Sequence, residues 1–404
     1  MKLIFTSTHR GWSEEFWDKW DAFLKHEPPS AYLDSRSIKA ALSVPDRSIR
    51  AICWVDEESN IVGVASTEDT QAESISKGRF LKADNPFFKV AQQYLYRGDG
   101  VFRLNIRVLG MVLSSGDHAY RFSDKISQKD IHLAIDEALT VQESTKKTIP
   151  KTYLIKDHYT DMPMGERFAG KSNWHSRWVD LEFDPVMEID LLPKWTTFEL
   201  YREALRKKSR TKIRRILNSS SELVLKNLSF NEVDKLSTEL YELYSKVFSR
   251  AGFKLGKLHI QDIVELKRHW GDKFPVIGYY HENTLVGFQC GIVTKDAVEA
   301  FFVGFNNSEN RVHSIYQRML LEFIQQGINV GAKKISLGRT ALDIKSSLGA
   351  CPKRLSCHMK VDNSVVHCLM RLVARASSPK IPPLKRVWKD DVIKDGASLS
   401  SRHI

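Results

Sequence analysis

Residues 274–349 hold the sequence feature that most constrains the fold, a run of apolar segments separated by short polar turns. Three of these segments have the length of strands and are rich in β-branched and aromatic residues, which favour β structure. They occupy residues 274–280, 285–293 and 297–305. A fourth predicted strand, Lys334 to Leu337, follows a stretch whose apolar residues recur at helical spacing. This order of strands and helix predicts an α/β fold.

The polar residues 306–311 predict a loop between the third strand and the helix. Ser314 and Gln317 have the spacing of a capping box, which predicts a helix start, while Gly327 and Gly331 predict its end. Free N–H groups and the helix dipole at such a start suit a phosphate or another anion. A purely structural role stays open, because any α/β protein contains such a unit.

Two segments resemble a known group of enzymes. Residues 337–349 (Leu-Gly-Arg-Thr-Ala-Leu-Asp-Ile-Lys-Ser-Ser-Leu-Gly) are similar to a strand end with a Gly-rich turn and a lysine before a large apolar residue and glycine. Residues 195–215 are similar to a basic helix that opens a second domain. The resemblance is to the GNAT acyltransferase fold in the tandem form of the Fem-type peptidoglycan aminoacyltransferases, nearest to their peptidoglycan biosynthesis/recognition branch. It covers residues 17–372 and implies an α/β (α+β) fold of two tandem GNAT-like domains, with mixed, mostly antiparallel sheets flanked by helices.

The pyrophosphate-binding loop of ordinary GNAT enzymes, Gln-x-x-Gly-x-Gly, is absent. Residues 306–313 stand in its place. The resemblance therefore leaves open whether a CoA pyrophosphate binds at this position.

A chain of 404 residues is long enough for two domains with separate cores. Prolines at 185 and 193 place the predicted boundary there, which gives domains at 1–192 and 193–376 and a loosely attached tail at 377–404. A weak internal repeat supports two copies of one fold: residues 55–63 and 279–287 share an apolar strand, an acidic turn with Asn, and a Val-Gly ending. Chance is the alternative, because hairpin turns share this chemistry.

The formal net charge of +12 favours an acidic partner. CoA, an acyl carrier protein, tRNA and an anionic membrane face all qualify, and a generally basic cytosolic protein is the alternative. The start of the sequence lacks a long apolar core, and no apolar run reaches the length of a membrane span. We therefore expect a cytoplasmic location. Five cysteines fit no disulfide or paired zinc-ligand spacing, so no metal site is predicted.

The helix predicted after Pro193 begins with a second capping-box pattern, Thr196 to Glu199. Its polar faces carry a dense set of cations, among which the following are candidate phosphate contacts: Lys208, Arg210 and Arg214. Such density is self-repulsive unless anions relieve it, so a phosphate-rich ligand is one interpretation and a solvated face is the other.

Acyl transfer on a GNAT-like fold needs no covalent intermediate, but it needs a base for the acceptor amine and a positive charge for the leaving group. The resemblance implies that Lys345 supplies that charge, with an exposed surface lysine as the alternative. Glu299 on the third strand is a candidate base or a solvent-facing residue. Asp343 is a candidate base, although we favour the interpretation that it holds Arg339.

Further candidates surround these residues. Arg339 with Gly338 and Thr340 forms a strand-end turn suited to a phosphate or carboxylate. Tyr316 is either a donor to the leaving group or a core residue. The remaining binding candidates are Gln289, which interrupts an apolar strand, and the residues Ser314 and Ile315 at the predicted helix start.

These expectations combine into a functional hypothesis. The chain transfers an acyl group from an acyl-thioester, either acyl-CoA or an acyl carrier protein, to a small-molecule amine by direct attack, with no permanently bound cofactor. One alternative is an aminoacyl-tRNA-dependent transferase acting on a cell-wall precursor. It is less favoured, because the sequence has no long heptad pair for a tRNA-binding helical arm. The other alternative is a non-catalytic GNAT-like binding protein, which the missing pyrophosphate loop favours.

Overall fold

The computed structural model describes residues 1–27, 29–75, 101–142, 150–159, 177–251 and 253–362, together with residues 367, 370, 371, 374, 385–390 and 392. The chain forms two compact units, each assembled from three segments. Unit 1 comprises Met1–Phe183, Ala251–Leu258 and Arg354–Pro379. Unit 2 comprises Asp184–Arg250, His259–Lys353 and Lys380–Ile404.

Unit 1 is built on one mixed sheet with helices beside it. In the numbering used for both units, its strands are β1 (Lys2–Thr6), β2 (Ser48–Val55), β3 (Ile61–Ile75), β4 (Val101–Leu109), β5 (Tyr120–Phe122), β6 (Thr152–Tyr159), β7 (Val179–Glu182), β10 (Phe253–Lys254) and β16 (Leu355–Val361). Its helices within the described ranges are α1 (Glu14–Leu24), α2 (Ser35–Ser43) and α3 (Gln128–Thr140). The main strand order is β1-β2-β3-β4-β6-β16-β7, and β5 and β10 also pair with β3.

Unit 2 repeats this plan with its own sheet. Its strands are β8 (Val186–Asp190), β9 (Val224–Asn227), β11 (Val276–His281), β12 (Thr284–Val293), β13 (Ala297–Phe305), β14 (Lys334–Ser336) and β15 (Cys351–Lys353). Its helices are α4 (Phe198–Ala204), α5 (Lys207–Ser219), α6 (Phe230–Lys235), α7 (Ser237–Phe248), α8 (Ile260–Trp270), α9 (Asn307–His313), α10 (Ile315–Val330) and α11 (Leu342–Ser346). The strand order is β15-β8-β14-β13-β12-β11-β9.

Within the described residues the main strand orders of the two sheets correspond, although β5 and β10 of unit 1 have no counterpart in unit 2. Each sheet contains one parallel pair, β4 with β6 and β13 with β14, and the other pairings are antiparallel. A helix connects the two strands of each parallel pair, as parallel pairing requires. The hairpins β2–β3 and β11–β12 occupy equivalent positions and contain the two sequence repeats. The expected fold of two mixed, mostly antiparallel sheets flanked by helices is therefore confirmed.

The compact units differ from the predicted ranges 1–192 and 193–376 at three strands. Strand β10 follows residue 193 but belongs to unit 1, because it pairs with β3. Strand β8 precedes residue 193 but belongs to unit 2, because it pairs with β14 and β15. Strand β16 lies before residue 376 but belongs to unit 1, because it pairs with β6 and β7. Strand pairing is non-local in sequence, whereas the predicted boundary rested on local proline positions.

The C-terminal segment 385–392 is part of unit 2, contrary to the expectation of a loose tail, as far as its described residues show. Val387 and Val392 are buried in the main core cluster of the unit. The indole of Trp388 stacks on Trp195 at a ring distance of 4.9 Å and meets Tyr201 edge-on at 5.5 Å. These contacts fix the segment against α4.

This segment also divides the helix that the sequence predicted as continuous from residue 195. Leu205 forms a β-bridge with Trp388, and the backbone N–H of Arg206 donates to the carbonyl of Val387. The backbone at residues 205–206 is therefore extended, and α4 and α5 are separate helices. The side chain that caps α4 belongs to Thr197 and accepts from the backbone N–H of Leu200, so the predicted box starting at Thr196 is wrong by one residue.

The predicted loop after β13 is helix α9. Ser314 follows it in a left-handed conformation with φ 51°, and its side chain makes no cap bond to α10, so the predicted capping box at Ser314 is wrong. Helix α10 also continues through Gly327, which packs against Ile335, and ends at Gly331 with φ 65°.

The packing of Trp388 is testable by substitution. We expect Trp388→Ala to lower the free energy of unfolding of unit 2 by about 3 kcal/mol, because it removes an aromatic side chain that packs on two others. The measurement is urea unfolding of the full chain. Leu200→Ala, on the exposed side of α4, is the control and should change the value by less than about 0.5 kcal/mol. Equal effects of the two substitutions would contradict the attachment of this segment.

Candidate active site in unit 2

The candidate site lies where the parallel strands β13 and β14 separate. The two strands pair only from Ala297 with Lys334 to Glu299 with Ser336. Strand β13 continues to Phe305 with β12 on one side, while β14 has ended. A bulge at Phe301, opposite Cys290 and Gly291 of β12, bends β13 just beyond the separation. Residues 300–305 thus form a strand edge next to the end of β14.

A row of polar side chains crosses the sheet at the point of separation. Glu299 on β13 is opposite Ser336 on β14, which is opposite Glu188 on β8. The preceding row of the same two strands, Val298 and Ile335, belongs to the hydrophobic core. Because side chains alternate between faces, the polar row lies on the other face of the sheet. All three polar residues are nevertheless buried.

Burial is the main influence on the carboxyl group of Glu299. It raises the pKa of Glu299 to about 7, opposed by the positive charge of Lys334 and by a hydrogen bond from Ser336, and increased by the negative charge of Glu188. A carboxyl with this pKa changes protonation state near neutral pH, which suits a general base. The alternative that Glu299 faces solvent is wrong.

A tight turn follows β14 and is held by Lys345. Gly338, Thr340 and Ala341 all have positive φ values, of 70°, 65° and 47°. The ammonium group of Lys345 donates to the carbonyl of Gly338 at 3.1 Å and to that of Arg339 at 2.6 Å. The side chain is buried, so the alternative of an exposed surface lysine is wrong. Burial lowers the pKa of Lys345 to about 7, against the opposing charge of Asp184.

The other turn residues have separate contacts. The guanidinium of Arg339 donates to the backbone carbonyl of Asp184 and is partly exposed. The carboxylate of Asp343, expected to hold Arg339, is exposed and lies 3.1 Å from Nζ of Lys385. Thr340 is exposed, and the carbonyl of Gly338 also accepts from the backbone N–H of Met187.

The N-terminus of α10 is occupied by its own chain. The side-chain oxygen of Asn310 on α9 accepts from the backbone N–H of Tyr316 at 2.8 Å, and its carbonyl accepts from the N–H of Ser314 at 3.0 Å. Ile315 is fully buried against Met319. The phenol of Tyr316 packs at 5.9 Å from Phe305, and burial raises its pKa to about 12. Helix α9 therefore takes up donors that an anion would otherwise use.

Gln289 is buried inside β12. Its side-chain oxygen accepts from the hydroxyl of Tyr279 at 2.5 Å, and both side chains are almost completely inaccessible. The structure thus pairs Gln289 with a core tyrosine.

The basic helix α5 presents most of its cations to solvent. Lys208 and Arg214 are exposed, and the guanidinium of Arg210 donates to the carbonyl of Leu205 at 2.7 Å. Lys212, which the sequence analysis did not select, reaches the hydroxyl of Ser347 at 2.5 Å. Burial and the charge of Lys385 lower the pKa of Lys212.

Two residues of this site, Glu188 and Lys385, were missed by sequence reasoning, and Lys212 was included only in the general basic surface of the predicted helix. The sequence shows that Glu188 alternates with Met187 and Ile189. It does not show that Glu188 lies opposite Ser336 on β14, because these two residues are 148 positions apart and no local pattern reveals their pairing. Lys385 lies in the assumed tail, where it pairs with Asp343 and places a second cation beside Lys212. Lys212 and Lys385 thus lie beside the short helix α11, which itself carries Lys345.

Comparison with solved structures shows that the chain has a known fold. FemX matches over 92% of this chain and 100% of its own, with a TM-score of 0.52 and 9% sequence identity. The chain has the fold of FemX. At this identity the likeness is one of fold, and it confirms the Fem-type fold that the sequence predicted.

Two further structures are similar at lower TM-scores. The C-terminal domain of a putative lysylphosphatidylglycerol synthetase from Agrobacterium fabrum matches over 90% of this chain and 96% of its own, with a TM-score of 0.47 and 10% identity. A tandem GNAT protein from the clavulanic acid biosynthesis pathway matches over 90% and 99%, with a TM-score of 0.46 and 9% identity. No protein-family model matches the sequence, and the search of curated proteins gave no match. Among the helices of the described ranges, none combines the length and apolar character needed to cross a bilayer.

The raised pKa of Glu299 predicts a pH dependence of stability. Between pH 4.5 and about 7 the folded state keeps the proton that the unfolded state has lost, so the free energy of unfolding of the wild type falls as pH rises. Glu299→Gln removes this dependence. Its stability relative to the wild type should therefore increase across this window, by up to roughly 3 kcal/mol, and stay constant above it.

Urea unfolding of both proteins at several pH values measures this difference. The exposed Glu57, changed to Gln in the same way, serves as the control. If the difference in free energy of unfolding between Glu299→Gln and the wild type does not vary with pH, the carboxyl of Glu299 is already ionised at pH 5.

Proposed function

We propose that the chain is an acyltransferase that moves an acyl group from an activated donor to an amine, with the reaction in unit 2. The observation that carries this proposal is the buried carboxyl of Glu299 at the separation of two parallel strands. A buried group that titrates near neutral pH beside an open strand edge provides a base and a surface for an extended donor.

In the proposed reaction the amine nitrogen attacks the carbonyl carbon of the donor. Glu299 takes the proton that the attacking amine loses, the C–N bond forms, and the bond to the leaving sulfur or oxygen breaks. The leaving group then takes a proton that Glu299 returns directly or through water, which restores the carboxylate. Because no bond to the protein forms, the contribution of the enzyme is positioning, proton removal and charge stabilisation.

Lys345 has two roles in this proposal. Its ammonium group holds the turn of Gly338 and Arg339 at the end of β14. It also brings a positive charge to this end of the strand, as the resemblance to the Fem-type group implies for the lysine of the matching motif. With a pKa of about 7, the group has access to both protonation states at neutral pH.

The donor we favour is an acyl-thioester, as acyl-CoA or acyl carrier protein. Both carry a phosphopantetheine arm, whose amide groups are able to pair with the strand edge at residues 300–305, as an added strand would. The phosphates of such a donor would contact cations instead of the occupied start of α10. Lys212, Lys385 and Arg339 are the nearest candidates around the turn and α11.

An aminoacyl-tRNA donor is the second candidate. The observation that favours it is the filling of the α10 N-terminus by α9, since an aminoacyl-tRNA carries no pyrophosphate that would need this position. The exposed cations of α5 would then contact the tRNA backbone, and the acceptor would be a cell-wall precursor. A cytoplasmic location, where either donor is found, is part of both proposals.

Ligand-dependent stability distinguishes the donors. We expect CoA, acetyl-CoA or palmitoyl-CoA, titrated at fixed salt, to raise the Tm, because binding at a hundredfold excess over Kd stabilises by roughly 2.7 kcal/mol. Arg339→Ala should abolish the shift, whereas Lys273→Ala, an exposed lysine elsewhere in unit 2, should preserve it. The absence of a shift with all three ligands would contradict a CoA donor and leave carrier protein and aminoacyl-tRNA.

Catalysis is tested by thiol release from the stabilising acyl-CoA in the presence of a panel of amines. We expect Glu299→Gln and Lys345→Met each to lower kcat by about 100-fold or more, because each removes a proton-transfer or charged group. Glu299→Gln should keep the donor-induced Tm shift, whereas Lys345→Met also releases the turn that holds Arg339 and should weaken the shift. A wild type that binds donor and releases no thiol with any amine would favour the non-catalytic alternative.

A further inference from the structure

Two histidines and two glutamates lie close together beside the β11–β12 hairpin of unit 2. None of them belongs to the polar row of Glu299, Ser336 and Glu188. His281 ends β11, Glu309 and His313 lie four residues apart on α9, and Glu222 follows α5. Ligand atoms of Glu222, His281 and His313 lie within 4.8 Å of one another. The imidazole rings of the histidines are 4.4 Å apart, so three separate segments of unit 2 converge here.

The environment of His313 fixes which ring nitrogen is available. Its Nδ1 lies 3.2 Å from the carbonyl oxygen of Ser219, which can only accept, so Nδ1 carries the proton. Its Nε2 faces the carboxylate of Glu309, 3.6 Å away. The side chain of His313 is 95% buried, so water has little access to this nitrogen. The contact therefore places either a proton or a metal ion between Nε2 and the carboxylate.

The ring of His281 lies between the two carboxylates. Its Nδ1 is 3.1 Å from Glu309 Oε2, and its Nε2 is 3.9 Å from Glu222 Oε2. The same Glu222 oxygen is 4.0 Å from Nδ1 of His313. Glu309 therefore faces one nitrogen of each ring, and Glu222 faces the other nitrogen of each ring.

An arrangement in which each imidazole has one carboxylate at each of its two nitrogens is typical of a metal centre. Ligating histidines usually donate their second N–H to a carboxylate or a backbone carbonyl, which fixes the tautomer. Ligands at about 2.0–2.1 Å from a tetrahedral ion are about 3.3 Å from each other. The distances from Glu309 Oε2 to the two facing nitrogens, 3.1 and 3.6 Å, bracket that separation.

We propose that Nδ1 of His281, Nε2 of His313 and the carboxylate of Glu309 bind a divalent transition-metal ion, with Glu222 as the outer carboxylate. Two imidazoles and one carboxylate suit Zn²⁺, Co²⁺ or Fe²⁺, whereas Ca²⁺ and Mg²⁺ take oxygen ligands. A position facing solvent remains for water, because His281 and Glu309 are partly exposed.

The ion would join α9 to the β11–β12 hairpin. Helix α9 is the element that closes the N-terminus of α10 through Asn310, one residue after Glu309. The bound ion would therefore stabilise the conformation of residues 306–313, the segment that stands in place of the pyrophosphate loop. This inference does not depend on the proposed acyl transfer.

The test is metal binding by the full chain after treatment with a chelator and its removal. Isothermal titration with Zn²⁺, and the visible absorption of bound Co²⁺, should each give one equivalent. His281→Gln and Glu309→Gln should weaken the affinity by more than Glu222→Gln, which as an outer residue should cost about 10- to 100-fold. Addition of Zn²⁺ should raise the Tm of the wild type and not that of His281→Gln.

The chain offers a matched control in α8. Glu265 and His269 are also four residues apart on a helix, with 3.9 Å between their charged groups. His269→Gln should bind metal as the wild type does. Since His281 is partly exposed, its substitution should leave the fold intact even if a variant of the buried His313 fails to fold.

Two results would overturn the proposal. One is a wild type that binds neither Zn²⁺ nor Co²⁺ stoichiometrically, which would make the cluster a set of ion pairs between carboxylates and protonated imidazoles. The other is an affinity that His281→Gln lowers no more than His269→Gln does. A loss of binding in Glu222→Gln with retention in Glu309→Gln would overturn the assignment of Glu309 as the ligand.

Discussion

The parallel pairing of β13 with β14 stops after three residue pairs, and the candidate site depends on this short ladder. Once β14 ends, the chain turns sharply and leaves the edge of β13 beside it. The bulge at Phe301 and the buried carboxyl of Glu299 lie within two residues of that point. Unit 1 contains the corresponding parallel pair, β4 with β6, which also has three residue pairs, but there β4 ends at Leu109 with the last pair.

The site concentrates ionisable groups where burial disfavours their charged forms. Glu299 and Lys345 are both buried, and burial moves the pKa of the acid up and that of the amine down until both lie near 7. Such groups reduce stability compared with apolar residues of similar size, and they persist only where the surrounding structure fixes them. Here the fixed elements are the carbonyls of the turn and the hydroxyl of Ser336.

Local sequence patterns predicted the strands of residues 274–305 and the α10 helix, because strand composition and helical periodicity reflect a buried face directly. They did not predict features created by distant segments. The break between α4 and α5 comes from pairing with Trp388, and the partnership of Glu188 with Ser336 comes from β8 joining a sheet built mainly from later residues. The burial of Lys345 likewise depends on tertiary packing, so the sequence could identify the residue only through a motif.

The position of β16 has a consequence for synthesis of the chain. In the sheet of unit 1, β16 lies between β6 and β7 and pairs with both. Until residues 355–361 leave the ribosome, β6 has an unpaired edge and β7 has no neighbour in the main strand order. Unit 1 therefore completes its sheet only after most of unit 2 has been synthesised, although it contains the N-terminus. The usual order of vectorial folding, in which the first domain is finished first, is reversed here for its last strand.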